Sequence, residues 1–136
     1  MRTKISRIDK EQAWDLRHKV MWPEKDIEYS KLADDDQGAH YGLFREESLL
    51  SVLSLFIKNE EAQFRKFATL IEEQGKDYGS QLLSFVLDEA KKKGVKRIWC
   101  NARENKKEFY LKFGLFETNM RFERGGKCYI IMEKRL

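Results

Sequence analysis

Residues 63–83 read QFRKFATLIEEQGKDYGSQLL, and the parsing of this stretch decides the fold. Its first part belongs to an apolar run, Ala62–Leu70, that suits a strand. The period then changes. Tyr78, Leu82, Leu83, Val86, Leu87 and Ala90 fall on one face of a helix. Lys91–Lys93 put positive charge at its end, and Gly94 suits the position just past it. Between strand and helix lies a loop with two glycines, Gly75 and Gly79. Unpaired N–H groups at a helix N-terminus attract anions, and glycine lets backbone approach a phosphate. Taken alone, this signal is weak, and a plain turn shaped by Gly75 and Gly79 is the favoured reading.

Working outward, Arg97–Ala102 is a second compact strand. A strand–helix–strand step over 62–102 implies one parallel pairing. Upstream, His40–Arg45, Leu49–Ile57 and Ala62–Leu70 are separated by short polar turns, the pattern of an antiparallel meander. Residues 3–8 alternate as a short strand. Asp9 then caps a helix, with Gln12 completing a capping box and Ala13, Leu16, Arg17 and Val20 at helical spacing before Pro23. Residues 26–32 read as a second short helix and 34–38 as a loop. Downstream, 105–113 reads as a short helix, and Leu115–Glu123 with Cys128–Glu133 form a hairpin around Gly125-Gly126. The expected fold is α/β. It is a mixed, mostly antiparallel sheet of about seven strands with one parallel pair and helices on both faces, in a single domain over 1–136.

Composition narrows the function classes. The 41% apolar and 12% aromatic content suits a packed core. No apolar run reaches the roughly 20 residues of a membrane span, and MRTKISRIDKEQ has no signal-like core. Cys100 and Cys128 are too few for a disulfide framework, and His18 and His40 have no ligand spacing to them. The expectation is a cytoplasmic protein with no metal and no membrane partner. Net charge is uneven. Residues 1–90 carry 13 Lys+Arg against 18 Asp+Glu, and residues 91–136 carry 14 against 5. A basic half can face nucleic acid or any polyphosphate. Nucleic acid is disfavoured, because the aromatics sit at core periods instead of on one exposed strand face.

The strand–loop–helix segment resembles motif A of the GNAT superfamily of N-acetyltransferases. Gln74 takes the first position of its Gln/Arg-x-x-Gly-x-Gly/Ala loop and Gly79 the last, and Ser80-Gln81-Leu82-Leu83 resembles the helix start. Asp77 stands where the central glycine is usual. A second block, Trp99–Arg103 followed by Phe109–Phe116, resembles the superfamily's Tyr-x-Lys-x-Gly-Phe segment, with Leu115 where phenylalanine is usual and Lys106 in place of an alanine. Leu16–Leu55 resembles a subgroup with LR-x-x-V near its start. The element order matches over almost the whole chain.

The resemblance implies acetyl-CoA as cosubstrate and a small-molecule or peptide amine as acceptor. It implies that the amides of Gly75, Lys76, Asp77, Tyr78, Gly79 and Ser80, after Gln74, hold the pyrophosphate. It implies that the backbone of Ala68, Thr69 and Leu70 bonds the pantetheine arm between splayed parallel strands. Tyr110 matches the acid tyrosine that protonates the departing thiolate. Asn101 and Arg103 end a parallel strand, where open sheets place their sites, and have no assigned role.

The chemistry asks for removal of the amine proton, a donor for the tetrahedral oxyanion, an acid for the thiolate, and juxtaposed substrates. It needs no covalent intermediate, so Cys100 need not be a nucleophile. Glu72 and Glu73 lie near the loop but suit surface charges, and His40 suits a structural role; the base is unassigned. Asp77 adds negative charge beside the expected pyrophosphate, which Lys76 and the basic second half can offset. It also keeps alive an alternative, an acyl-CoA-binding sensor or scaffold without turnover. The acceptor's identity and a homodimer stay open.

Overall fold

The structure is a computed structural model that describes residues 2–136. In chain order it contains β1 (Thr3–Ile8), α1 (Lys10–Met21), β2 (Ala39–Arg45), β3 (Ser48–Lys58), β4 (Glu61–Thr69), α2 (Tyr78–Lys92), β5 (Arg97–Arg103), α3 (Lys107–Leu111), β6 (Phe116–Arg124) and β7 (Lys127–Arg135). The seven strands form one sheet in the order β1-β2-β3-β4-β5-β7-β6. Every pairing is antiparallel except β4–β5, which is parallel, as the strand–helix–strand step requires.

Two apolar clusters cover the two faces. Ile8, Ala13, Leu16, Val52 and Ala68 pack under α1. Leu53, Phe64, Leu82, Leu83, Val86, Ile98 and Met132 belong to the larger cluster under α2. Val52 and Leu53 are neighbours on β3 yet serve different clusters, because successive side chains of a strand point to opposite faces.

The helix ends follow the local chemistry. The Asp9 side chain accepts from the N–H of Gln12, and the Gln12 side chain accepts from the N–H of Asp9, closing the capping box. At the end of α2, Gly94 takes φ 84°, Val95 N–H bonds Ala90 O, and Gly94 N–H bonds Lys91 O. That pair of bonds is a Schellman stop. Residues 26–32 depart from the expected helix. They hold only a 3₁₀ turn, Ile27–Ser30, capped by Asp26. A second 3₁₀ turn, Asp35–Gln37, lies in the acidic loop. The helix expected over 105–113 is a 3₁₀ turn, Glu104–Lys106, running into the five-residue α3.

Candidate active site

The parallel pair opens. β4 and β5 are in register only at Glu61–Gln63 with Arg97–Trp99. Beyond that point β4 runs on to Thr69 and β5 to Arg103 without pairing each other. A bulge accompanies the opening. Val52 opposes Ala68 and Ser54 opposes Arg65, so Lys66 and Phe67 face the single residue Leu53, with Lys66 at φ 56°. The extra residue bends β4 and increases its twist.

Backbone hydrogen bonds decide which groups face the gap. Leu70 N–H donates to Leu50 O at 2.9 Å, so it is spent on β3. Hydrogen-bonding direction alternates along an antiparallel strand, which turns the Thr69 backbone away from β3 and toward β5. The Thr69 carbonyl accepts from Gln74 Nε2 at 3.0 Å, which ties the loop to the strand end. The Thr69 N–H is left for the gap. Ala68 is buried, and its carbonyl accepts from Ser51 Oγ. Of the three strand residues singled out from the sequence, Thr69 alone offers its amide to the opening.

The loop presents a run of free backbone donors. The N–H groups of Gly75, Lys76, Asp77, Tyr78, Gly79 and Ser80 have no hydrogen-bond partner among the described residues; Gln81 N–H is the first of the helix to find one, at Asp77 O. Six successive free donors stand at the head of a 15-residue helix, whose dipole adds partial positive charge at that end. Gly75 takes φ 79° with open space where a Cβ would sit. A Cβ on Gly79 would stand 3.2 Å from the Phe67 ring, so a small residue lets α2 lie close on β4. Asp77 has φ 73° and ψ 7°, and its side chain makes no capping bond.

A buried clamp that the sequence did not disclose holds this loop. Glu73 is buried, and Arg45 from the end of β2 grips both of its oxygens at 2.9 and 3.1 Å. Arg45 also donates to Tyr78 Oη at 3.2 Å, and Lys76 Nζ reaches Glu73 at 3.1 Å. Hydrogen bonds from Arg45 and then Lys76 hold the Glu73 carboxyl below its ordinary pKa. Glu73 is therefore a fixed anion and no free base. No spacing rule links residues 45 and 73, so only the fold brings them together.

Tyr110 stands at the apex of the opening. Its ring lies 5.9 Å from Phe64 on β4 and 5.3 Å from Phe109. Phe64 and Cys100 each follow directly on the last paired residues of β4 and β5. Burial, then the neighbouring Cys100, push the phenol pKa well up, so the hydroxyl keeps its proton at neutral pH. That hydroxyl has no hydrogen-bond partner among the described residues. Burial likewise pushes up the Cys100 thiol, which makes it a poor nucleophile. Asn101 and Arg103 are exposed on the far arm of the opening. Arg103 lines a shallow depression with Glu104, Asn105, Gly126, Lys127 and Cys128.

Beside the opening, under α1, lies a buried polar ring. Arg17 is fully buried and pairs with Asp35 at 2.9 and 3.0 Å. Arg17 Nη2 also donates to Ser54 Oγ at 2.8 Å, and Ser54 Oγ lies 2.7 Å from His40 Nδ1. His40 Nε2 lies 3.0 Å from Asp35 O, a carbonyl that can only accept, so the proton is on Nε2 and Ser54 donates to Nδ1. This ring fixes the loop after α1 against β2 and β3. It accounts for His40 as structural. Among the described residues no group of three or more His, Cys, Asp or Glu is placed to hold a metal. No helix among them is long and apolar enough to cross a membrane.

Comparison with known proteins agrees with this geometry. Residues 8–136 match the acetyltransferase (GNAT) domain family. The uncharacterized N-acetyltransferase YitI of Bacillus subtilis (strain 168) is 29% identical, over 97% of this chain and 95% of its own length. A Lactobacillus plantarum protein assigned as an N-acetyltransferase superposes with a TM-score of 0.88 at 21% identity, covering 100% of this chain and 99% of the other. A GNAT family acetyltransferase from Elizabethkingia anophelis, solved with acetyl-CoA bound, gives a TM-score of 0.77 at 18% identity, covering 98% of each chain. With the family match spanning nearly the whole sequence, the chain belongs to the GNAT acetyltransferase family.

Proposed function

We propose that this protein transfers an acetyl group from acetyl-CoA to a primary amine by direct attack on the thioester. The carrying observation is the run of six unpartnered N–H groups, Gly75–Ser80, at the mouth of the gap between β4 and β5. The loop amides take the pyrophosphate. The pantetheine arm lies in the gap as a surrogate strand, and Thr69 N–H donates to it or to the thioester oxygen. The amine attacks the thioester carbon and the C–S bond breaks. The phenol of Tyr110 gives its proton to the departing sulfur. The amine's proton leaves through water, since Glu73 is committed to Arg45 and Lys76. Juxtaposition of the two substrates supplies much of the rate.

Acetyl-CoA at millimolar concentration should raise the melting temperature, because a ligand of the native state stabilises it. Free thiol should appear when a primary amine is added. Absence of both binding by calorimetry and any melting shift would end the coenzyme assignment. The strained, charged Asp77 favours a second reading, a coenzyme-binding domain without turnover. Binding without thiol release across a broad amine panel would select it.

A further inference from the structure

The side of the opening that faces α1 carries a cation that forms no ion pair among the described residues. Lys66 occupies the bulge of β4, three residues past the point where β4 and β5 part, in a left-handed conformation at φ 56°. Lysine is an uncommon residue there, and strain of this kind gathers at sites of function. The side chain is half-buried, and its Nζ lies 4.7 Å from the centre of the Trp22 ring, just past the end of α1. Among the described residues it forms no ion pair.

Its neighbours differ in one respect. Arg65 is paired with Asp34 and Arg17 with Asp35, so both are satisfied. Desolvation first, then the fields of Arg65, Arg17 and Arg124, lower the Lys66 pKa against the opposing field of Asp35. A half-withdrawn ammonium among other cations calls for an anion from outside the chain.

We infer that the acceptor is a small amine bearing a carboxylate, and that Lys66 binds that carboxylate next to the thioester. The inference rests on the acetyltransferase reading above and names its substrate class. A simple ammonium ion would be repelled by this surface. A zwitterion brings its own counter-charge, and its carboxylate replaces the missing partner of Lys66. The same positive charge favours loss of the amine's proton before attack.

The test compares amino acids with their own amides as acceptors, following thiol release with acetyl-CoA. The acids should exceed the amides by about 10- to 100-fold in kcat/KM, the scale of one charge-assisted hydrogen bond. Lys66→Met should bring that ratio close to one through KM, and Lys66→Arg should restore part of it. Melting temperature and acetyl-CoA affinity verify that each variant is folded; if Lys66→Met does not fold, Lys66→Gln replaces it, and the wild-type ratio stands as evidence by itself. Amides used as well as acids, or a ratio that survives loss of the lysine charge, overturn the inference. So does a peptide with an N-terminal glutamate that outcompetes every free amino acid. If no compound is acetylated, calorimetry of acid against amide on the coenzyme-loaded protein decides, and equal or absent binding of the two overturns the inference. Calorimetry with acetyl-CoA alone reports separately whether the acetyltransferase reading itself has failed, and in that case the acid and amide titrations are made on the free protein.

Discussion

Replacing Asp77 by glycine should leave the protein at least as stable and make it a tighter binder of acetyl-CoA. The residue sits at φ 73° and ψ 7°, the left-handed region, where a side chain crowds its own backbone. Non-glycine residues held there cost about 1–3 kcal/mol, with aspartate toward the lower end. Glycine removes that strain but adds about 0.5–1 kcal/mol of unfolded-state freedom. Asp77 loses no capping bond in the exchange, since its side chain makes none. The net gain should be about 0–0.5 kcal/mol, which for a domain of this size corresponds to roughly 0–2 °C in melting temperature. The second effect is electrostatic. A carboxylate about 6 Å from a diphosphate in water-like dielectric opposes it by about 0.7 kcal/mol per unit charge. Removing it should tighten coenzyme binding by about 3- to 10-fold, with the larger effect at low salt. Urea denaturation with an unchanged slope reads the first effect, and calorimetry at two ionic strengths reads the second. Weaker coenzyme binding by a folded Asp77→Gly protein would refute the placement of the pyrophosphate against this loop. Lost stability would refute the strain argument.

Three other outcomes follow from the same geometry. Tyr110→Phe keeps the ring among Phe64 and Phe109, so melting temperature and acetyl-CoA affinity should hold while turnover drops about 100- to 10,000-fold; near-normal turnover with chemistry rate-limiting would remove Tyr110 as the acid. Arg45→Met should free the loop by releasing Glu73 and Tyr78, raising the acetyl-CoA dissociation constant more than it alters kcat, and Arg45→Lys should recover only part because it cannot grip both oxygens. Asp35→Ala leaves Arg17 charged and unpaired in the core and should cost about 3–5 kcal/mol in denaturant unfolding. Burial opposes ionisation of Asp35, but hydrogen bonds from Arg17, Trp14 and the Leu32 N–H outweigh it, and the folded pKa is lowered. The pair therefore contributes in full above the ordinary carboxylate value of 3.8, and its contribution fades as pH falls through the lower folded value. Acid titration of stability should show that loss, and a milder variant, Asp35→Asn, should blunt it.

Much of the architecture could be read along the chain because it is local physics. The capping box at Asp9, the apolar face of α2, the Gly94 stop and the two-glycine hairpin are each set by residues within one or two turns of one another. The single parallel pair follows from connection length alone. The strand–loop–helix segment over 62–92 was legible for the same reason, since a strand, two glycines and an amphipathic helix are consecutive. Tertiary structure decided what depends on residues far apart in sequence. The gap between β4 and β5 arises from strand twist and the Lys66 bulge, and neither has a compositional signature at a lysine. Residues 26–32 yielded to a 3₁₀ turn because Arg17 and Asp35 clamp the loop, taking Ser30 O and the Leu32 N–H as partners. Glu73 looks like a surface carboxylate in sequence, and it becomes a buried anchor only when β2 carries Arg45 to it. Lys66 and Trp22 likewise meet only after folding, because chain order gives no measure of distance in space.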